Sequence, residues 1–91
     1  MDAVEQKAER VATVRSQHGL HARPAAVFVR TATGFRSQIE VLAHGKTANA
    51  KSIISVLGLG VNRGDAIVIR AVGEDALAAV RTLAELAEKE L

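Results

Sequence analysis

The chain lacks cysteine altogether and is almost free of aromatic residues, with two phenylalanines and no tryptophan or tyrosine. Without cysteine it has no disulfide, no thiol nucleophile and no thiolate metal ligand. Without aromatic side chains it lacks the flat surfaces on which proteins stack single-stranded bases. Its longest apolar runs, such as residues 25–29, are far too short to cross a bilayer. These absences argue against disulfide-stapled, base-stacking and membrane-spanning proteins.

Excess charge is also scarce, since twelve Lys and Arg face ten Asp and Glu and leave a net charge of +2. A nucleic-acid-binding stripe needs a larger basic excess, so neither nucleic acid nor membrane insertion is expected. Residues 1–10 carry both signs of charge and do not form a basic-then-apolar leader. The length of 91 residues, 48% of them apolar, predicts one globular domain over 1–91, with 1–9 a loose extension. A cytoplasmic location is also expected. The initial Met1 and the final helix favour a free-standing domain over a module of a fusion.

The hydrophobic pattern predicts four strands and three helices. Alternating residues predict strands over 10–15, 37–43, 46–49 and 66–71. Helical spacing predicts helices from 22 or 23 to a cap at Gly34, over 52–58 and over 74–90. The last helix is expected to bury one stripe, comprising Leu77, Val80, Ala84, Ala87 and Leu91. The order βαββαβα predicts an α+β, two-layer open-faced β-sandwich, with three helices on one face of a four-stranded antiparallel sheet.

The segment most suggestive of chemistry is GLHARPAA, residues 19–26. It places His21 just before a helix whose first turn contains Pro24, where a missing N–H costs little. The first turn of a helix offers unpaired N–H groups and a positive dipole end, which together bind anions. Arg23 adds a planar guanidinium suited to phosphate oxygens. A histidine before a helix is more often a cap or loop residue, but the combination with Arg23 and Pro24 favours a nucleophile.

Two segments resemble the signatures of the HPr family, the histidine phosphocarriers of the bacterial sugar phosphotransferase system. Residues 19–25 resemble the active-site signature, and KTANAKSII, residues 46–54, resembles the second signature around a regulatory serine. The separation between His21 and Ser52 is also that of the family. The βαββαβα order is the family's fold, and the resemblance extends from about residue 10 to residue 91.

The resemblance implies a phosphocarrier with a transient phosphohistidine rather than a stand-alone enzyme. Enzyme I would pass a phosphoryl group from phosphoenolpyruvate to Nδ1 of His21, and a sugar-specific enzyme IIA would receive it. Ala22 and Arg23 would lie against the phosphoryl group. No cofactor and no metal ion are implied, and the carrier is expected to be a monomer.

The resemblance also implies surfaces for partners and for regulation. The family's exposed docking patch corresponds to Leu20, Ile53, Ile54 and Leu57, with Arg30 able to meet acidic rims on partners. Core packing is the alternative for Ile53 and Ile54, although so short a helix is expected to leave some apolar surface exposed. Ser52 corresponds to the serine that HPr kinase/phosphorylase modifies, and its alternative is a plain helix cap.

Some residues depart from the family pattern, and two other functions stay open. His18 stands where the family often has a small polar residue, and two histidines without a third ligand do not make a metal site. His44, in a predicted turn, is expected to be solvated. The first alternative is an HPr-like regulator, acting through Ser52 and a transcriptional regulator in carbon or nitrogen control. The second is a small α+β interaction or nucleic-acid-binding domain without phosphoryl chemistry.

Overall fold

The computed structural model describes residues 6–89, which form four strands and three helices in the order βαββαβα. The elements are β1 Gln6–Thr13, α1 Ala22–Thr33, β2 Gln38–Ala43, β3 Lys46–Asn49, α2 Ile53–Leu57, β4 Ala66–Gly73 and α3 Ala76–Ala87. This order and the antiparallel sheet confirm the predicted fold. None of the helices in this described part of the chain has the length and apolarity to span a membrane.

The sheet has the strand order β1-β4-β2-β3, and every neighbouring pair is antiparallel. Alternation along β4 buries Ile67 and Ile69 on the face that the helices cover, and Val41 of β2 lies opposite Ile69 and is also fully buried. On the open face, Arg70 lies 3.2 Å from a carboxylate oxygen of Glu9. The alternation therefore separates an apolar inner face from a charged outer face, as the sequence predicts.

The first strand begins earlier than predicted. β1 starts at Gln6, so the loose extension predicted over residues 1–9 is wrong for residues 6–9, and residues 1–5 lie outside the described part. The ladder to β4 continues to the pair Gln6 and Gly73, because β4 also runs two residues beyond its predicted end. The periodicity is weak here because Ala8 is small and half-buried between two exposed charged residues. Backbone pairing, rather than side-chain alternation, sets the strand's length.

The first helix begins and ends where the sequence predicts. Pro24 lies in its first turn, and Gly34 is its C-terminal cap. Phe28 is the largest fully buried side chain of the molecule's described part. Phe28 belongs to the buried core cluster, so its burial holds α1 against the rest of the fold.

The apolar stripe predicted for α3 is partly wrong. Leu77 is 53% exposed, whereas the buried face comprises Ala76, Ala79, Val80, Leu83, Ala84 and Ala87. Leu91 lies outside the described residues. Alanines let a helix approach a sheet closely, so the helix turns its small side chains inward and leaves the bulkier Leu77 outside.

A carboxylate clamp joins the start of α3 to the loop after α1. Asp75 Oδ1 accepts hydrogen bonds from the Ser37 N–H at 2.9 Å and the Ser37 hydroxyl at 2.5 Å. Asp75 Oδ2 accepts one from the Arg36 N–H at 2.9 Å. These bonds, the Ser37 hydroxyl first, lower the pKa of Asp75 from 3.8 to about 2. The carboxylate therefore contributes to folding in its charged form.

The depressed pKa of Asp75 predicts how the stability of the fold depends on pH. Because the folded pKa is depressed, its contribution is fully present above the unfolded pKa near 3.8 and is lost as the pH falls towards 2. Asp75→Asn should therefore melt below the wild type at neutral pH, and the difference should shrink as the pH falls through that window. Thermal melts across a pH series measure this, with Glu85→Gln as the control carboxylate on α3. A difference that does not change with pH contradicts the prediction.

Candidate functional site

The site forms around His21 at the start of α1. His21 is the N-cap residue, its backbone is extended, and its ring makes no hydrogen bond to the helix it precedes. The side chain is partly exposed, at a helix end whose first turn has no acidic residue. The imidazole is therefore not occupied in capping and is accessible from solvent.

The backbone between His21 and the helix is strained. Ala22 has a φ of +43°, in the left-handed region that residues with a β-carbon rarely adopt. Such strain persists where the surrounding structure imposes it, and it is common at functional sites. The N–H groups that open the helix have no intrahelical acceptors, and Pro24 contributes none. The exposed surface beside His21 therefore combines backbone donors with the positive end of the helix dipole.

Two arginines of α1 lie seven residues apart, two helical turns along nearly the same side. Arg23 and Arg30 are both exposed. Neither has a carboxylate partner among residues 6–89. Their guanidinium groups are thus available to a phosphoryl group or to acidic residues of a partner.

The loop before His21 is fastened to the segment after α2. The Leu20 N–H donates to the Val61 carbonyl at 3.0 Å, and the Leu20 side chain is only 1% exposed. Gly19, with a φ of +67°, lies directly against Val61 and Asn62, where a β-carbon would meet backbone atoms. The prediction that Leu20 belongs to an exposed docking patch is therefore wrong. Leu20 is a core residue that holds the loop carrying His21.

The structure adds a residue that the sequence reading missed. Asn62 Oδ1 lies 3.4 Å from His21 Nε2. The composition of residues 62–65, Asn-Arg-Gly-Asp, is typical of a turn, but it does not indicate which residue lies beside that turn. Pairing of the end of β1 with the start of β4 brings the two loops to one end of the sheet, so a predicted β1–β4 pairing was the signal that could have found it.

The turn at Asn62 is stabilised by Asp65. The Asn62 N–H donates to Asp65 Oδ2 at 2.8 Å, and His44 Nε2 lies 2.9 Å from the same oxygen. The Asn62 N–H is the largest cause that lowers the pKa of Asp65, and His44 adds to it against partial desolvation. His44 is exposed in a turn, as predicted, and its ring also pairs with Asp65.

The second helix presents apolar side chains to solvent. Ile54 is 79% exposed, and Ile53 and Leu57 are each 37% exposed; we call these three residues the α2 patch. Core packing is therefore wrong for Ile54. Ser52 is the N-cap of α2, since its Oγ accepts a hydrogen bond from the Ser55 N–H at 3.3 Å. α2 packs against α1, the helix that His21 precedes.

Comparison with known proteins identifies the family. The family model described as "PTS HPr component phosphorylation site" matches residues 8–89. The phosphocarrier protein HPr of Buchnera aphidicola subsp. Schizaphis graminum is 42% identical over 73 residues, which cover 80% of this chain and 86% of that protein. The chain belongs to the HPr family.

Solved structures of HPr proteins agree with this assignment. The crystal structure of a phosphocarrier protein HPr from Bacillus anthracis str. Ames has a TM-score of 0.87 and 38% identity, covering 89% of this chain and 96% of that one. The solution structure of Crh, the Bacillus subtilis catabolite repression HPr, has a TM-score of 0.70 and 41% identity, covering 97% and 100% of the two chains. The chain is thus similar to HPr phosphocarriers of the phosphotransferase system along nearly its whole length.

The two HPr signature segments lie on adjacent parts of this fold. Residues 19–25 comprise the end of the loop before α1 and the first turn of that helix, and residues 46–54 comprise β3, the turn after it and the start of α2. His18 is exposed in the loop before His21. Within residues 6–89, no group of three or more His, Asp or Glu side chains lies close enough together to hold a metal ion.

Proposed function

We propose that this HPr-family chain carries a phosphoryl group on His21, received from Enzyme I and delivered to a sugar-specific enzyme IIA. The observation that carries the proposal is the placement of an imidazole that makes no hydrogen bond to its own helix at the N-cap of α1, before a first turn without acidic residues. The proposal includes a monomer working in the cytoplasm, where phosphoenolpyruvate is available.

The chemistry requires a nucleophile and an anion site in one place. The Nδ1 lone pair of His21 attacks phosphorus, and the bond from phosphorus to the donor breaks with its electron pair remaining on the donor. The phosphoryl oxygens then lie against the first-turn N–H of Ala22 and the guanidinium of Arg23. Delivery to enzyme IIA is the same displacement with the phosphohistidine as donor. No net change to the carrier results from one cycle.

A reconstituted reaction tests the proposal. The chain is incubated with Enzyme I and phosphoenolpyruvate, and intact-protein mass spectrometry is expected to show the mass gain of one phosphoryl group. The group should be lost on acid treatment and restored by fresh donor, as expected of a phosphohistidine. A chain that gains no phosphoryl group from an active Enzyme I contradicts the proposal.

We further propose that the α2 patch, together with Arg30, docks Enzyme I and enzyme IIA. An apolar centre with a cationic rim suits a partner whose surface is apolar and edged with acidic residues. The exposure of Ile54 and the unpaired state of Arg30 among residues 6–89 support this assignment.

Ile54→Asp is therefore expected to weaken binding to Enzyme I by roughly 10- to 30-fold, because it places a charge at the centre of an apolar contact. The fold should be retained, since the side chain is 79% exposed. Titration followed by NMR measures the affinity. Leu77→Asp is the matched control, an exposed leucine on α3 that should bind as the wild type does. Equal affinities for the two variants would remove the α2 patch from the interface.

A second function, regulation through Ser52, is favoured by the position of that residue. Ser52 is partly exposed at the start of α2 and lies immediately before the α2 patch. A phosphate there would be stabilised by the helix start while placing about two negative charges at the docking surface. An HPr kinase/phosphorylase using ATP would make this change, and a transcriptional regulator would recognise it. The likeness to Crh supports this candidate beside the transport role.

A further inference from the structure

The contact between His21 and Asn62 has a chemical consequence. An amide oxygen accepts hydrogen bonds and cannot donate them. If Asn62 Oδ1 binds His21 Nε2, which lies 3.4 Å away, then Nε2 must carry the proton. The neutral ring then has its free lone pair on Nδ1. The distance is long for a hydrogen bond, as catalytic contacts often are before a partner binds.

The segment that presents Asn62 is held from several sides. Its backbone N–H is bound to Asp65 Oδ2, and its carbonyl accepts the Asp65 N–H at 3.0 Å. The Val14 N–H donates to the Asp65 carbonyl at 2.9 Å, and the Gly64 N–H donates to the Val14 carbonyl at 2.8 Å. His44, from the turn between β2 and β3, contacts the Asp65 carboxylate.

The loop carrying His21 is joined to the same segment through the hydrogen bond from the Leu20 N–H to the Val61 carbonyl. His21 and Asn62 are therefore positioned by one continuous set of bonds.

We propose that Asn62 is a positioning residue that keeps the Nε2 proton on His21 and so leaves Nδ1 free to accept the phosphoryl group. The proposal rests on phosphoryl transfer to His21. In the transfer, the bond from Nδ1 to phosphorus forms, the bond from phosphorus to the donor breaks, and the electron pair leaves with the donor. No proton has to leave Nδ1, because the proton is held on Nε2.

The contact also grows stronger as the reaction proceeds. When Nδ1 donates its lone pair to phosphorus, the ring gains positive charge that is shared with Nε2–H. A more positive donor makes a stronger hydrogen bond, so Asn62 Oδ1 stabilises the transition state more than the free ring. Asp65 acts through Asn62 by fixing its backbone, and His44 acts through Asp65. Among the described residues, neither Asp65 nor His44 is hydrogen-bonded to His21.

Nitrogen NMR of His21 tests this directly. At alkaline pH, the nitrogen chemical shifts of the wild-type protein should show the Nε2–H tautomer. Asn62→Ala should shift the ring towards a mixture of tautomers and slow phosphoryl transfer from Enzyme I roughly threefold to tenfold, the worth of one hydrogen bond. Asn62→Asp keeps an acceptor oxygen and should keep the Nε2–H tautomer. Asn49→Ala, which changes the chain's other asparagine, should leave both tautomer and rate unchanged.

The outcomes separate this proposal from the proposed function. The tautomer is measured without Enzyme I or a phosphoryl donor. The result for Asn62 therefore remains valid even if the chain takes up no phosphoryl group. A wild-type ring protonated on Nδ1 overturns the role of Asn62 even if His21 is phosphorylated. The same conclusion follows if Asn62→Ala keeps both the wild-type tautomer and the wild-type rate. Amide proton–nitrogen spectra of each variant establish that the fold is retained.

Discussion

His21→Ala is expected to abolish phosphorylation by Enzyme I and phosphoenolpyruvate completely, while the protein remains folded. The variant removes the nucleophile, and the remaining anion site has nothing to which a phosphoryl group can be bonded. The fold should survive because the partly exposed ring makes no cap hydrogen bond, and its one side-chain hydrogen-bond partner among residues 6–89 is Asn62, at 3.4 Å. Intact-protein mass spectrometry measures the phosphorylation, and circular dichroism melts measure the stability.

The chain's two other histidines provide matched controls. His18→Ala removes an exposed imidazole from the same loop, and His44→Ala removes one that contacts Asp65. Both variants should still take up one phosphoryl group at the end of the reaction. Labelling of His21→Ala equal to that of the wild type would show that the phosphoryl group is carried elsewhere and would remove the central proposal.

The architecture was predictable because local signals and tertiary packing agree for most elements. Alternation at Ile39 and Val41 predicts the buried face of β2, and both residues are buried. Pro24 and Gly34 mark the two ends of α1. The start of this helix could be placed from sequence because a proline is tolerated only in the first turn. The sequence therefore predicts His21 just before the helix, and the structure has it at the N-cap.

The structural predictions from sequence are wrong where tertiary contacts override a local pattern. Gln6 joins a strand because its partner strand continues, which no property of residues 6–9 themselves indicates. Leu20 is predicted as an exposed docking residue, whereas its side chain is 1% exposed and its N–H is bonded to the Val61 carbonyl. Leu77 lies on an apolar stripe that overlaps a second stripe of small residues, and close packing against the sheet selects the second.

The contact of Asn62 with His21 could not be predicted from local sequence patterns, because 41 residues separate the two. The dipeptide Asn62-Arg63 followed by Gly64 predicts a turn by its own chemistry. The position of this turn beside the loop that carries His21 depends on the pairing of β1 with β4 and on the close approach of Gly19 to Val61 and Asn62. Gly19 is thus the residue through which the fold determines the geometry of the site.

Gly19→Ala should consequently be among the most damaging single-methyl changes in this protein. A β-carbon at Gly19 would lie 2.2 Å from the Val61 carbonyl oxygen and 2.6 Å from Asn62 Cα, both backbone atoms. The φ of +67° adds the strain of a left-handed alanine. Overpacking and strain together should cost on the order of 3 kcal/mol, which corresponds to a fall in melting temperature of roughly 10–25 °C.

The variant Gly60→Ala distinguishes the steric overlap of a β-carbon from the strain of a left-handed backbone. Gly60 has a similar φ of +65°, but a β-carbon there would meet nothing within 4 Å. It should therefore show only the strain, about 1–2 kcal/mol. Any folded Gly19→Ala must move its loop away from Val61, which breaks the Leu20 hydrogen bond and separates His21 from Asn62. We therefore expect slower phosphoryl transfer in Gly19→Ala and a wild-type rate in Gly60→Ala. If the two variants melt and transfer alike, the close approach at Gly19 does not set the geometry of the site.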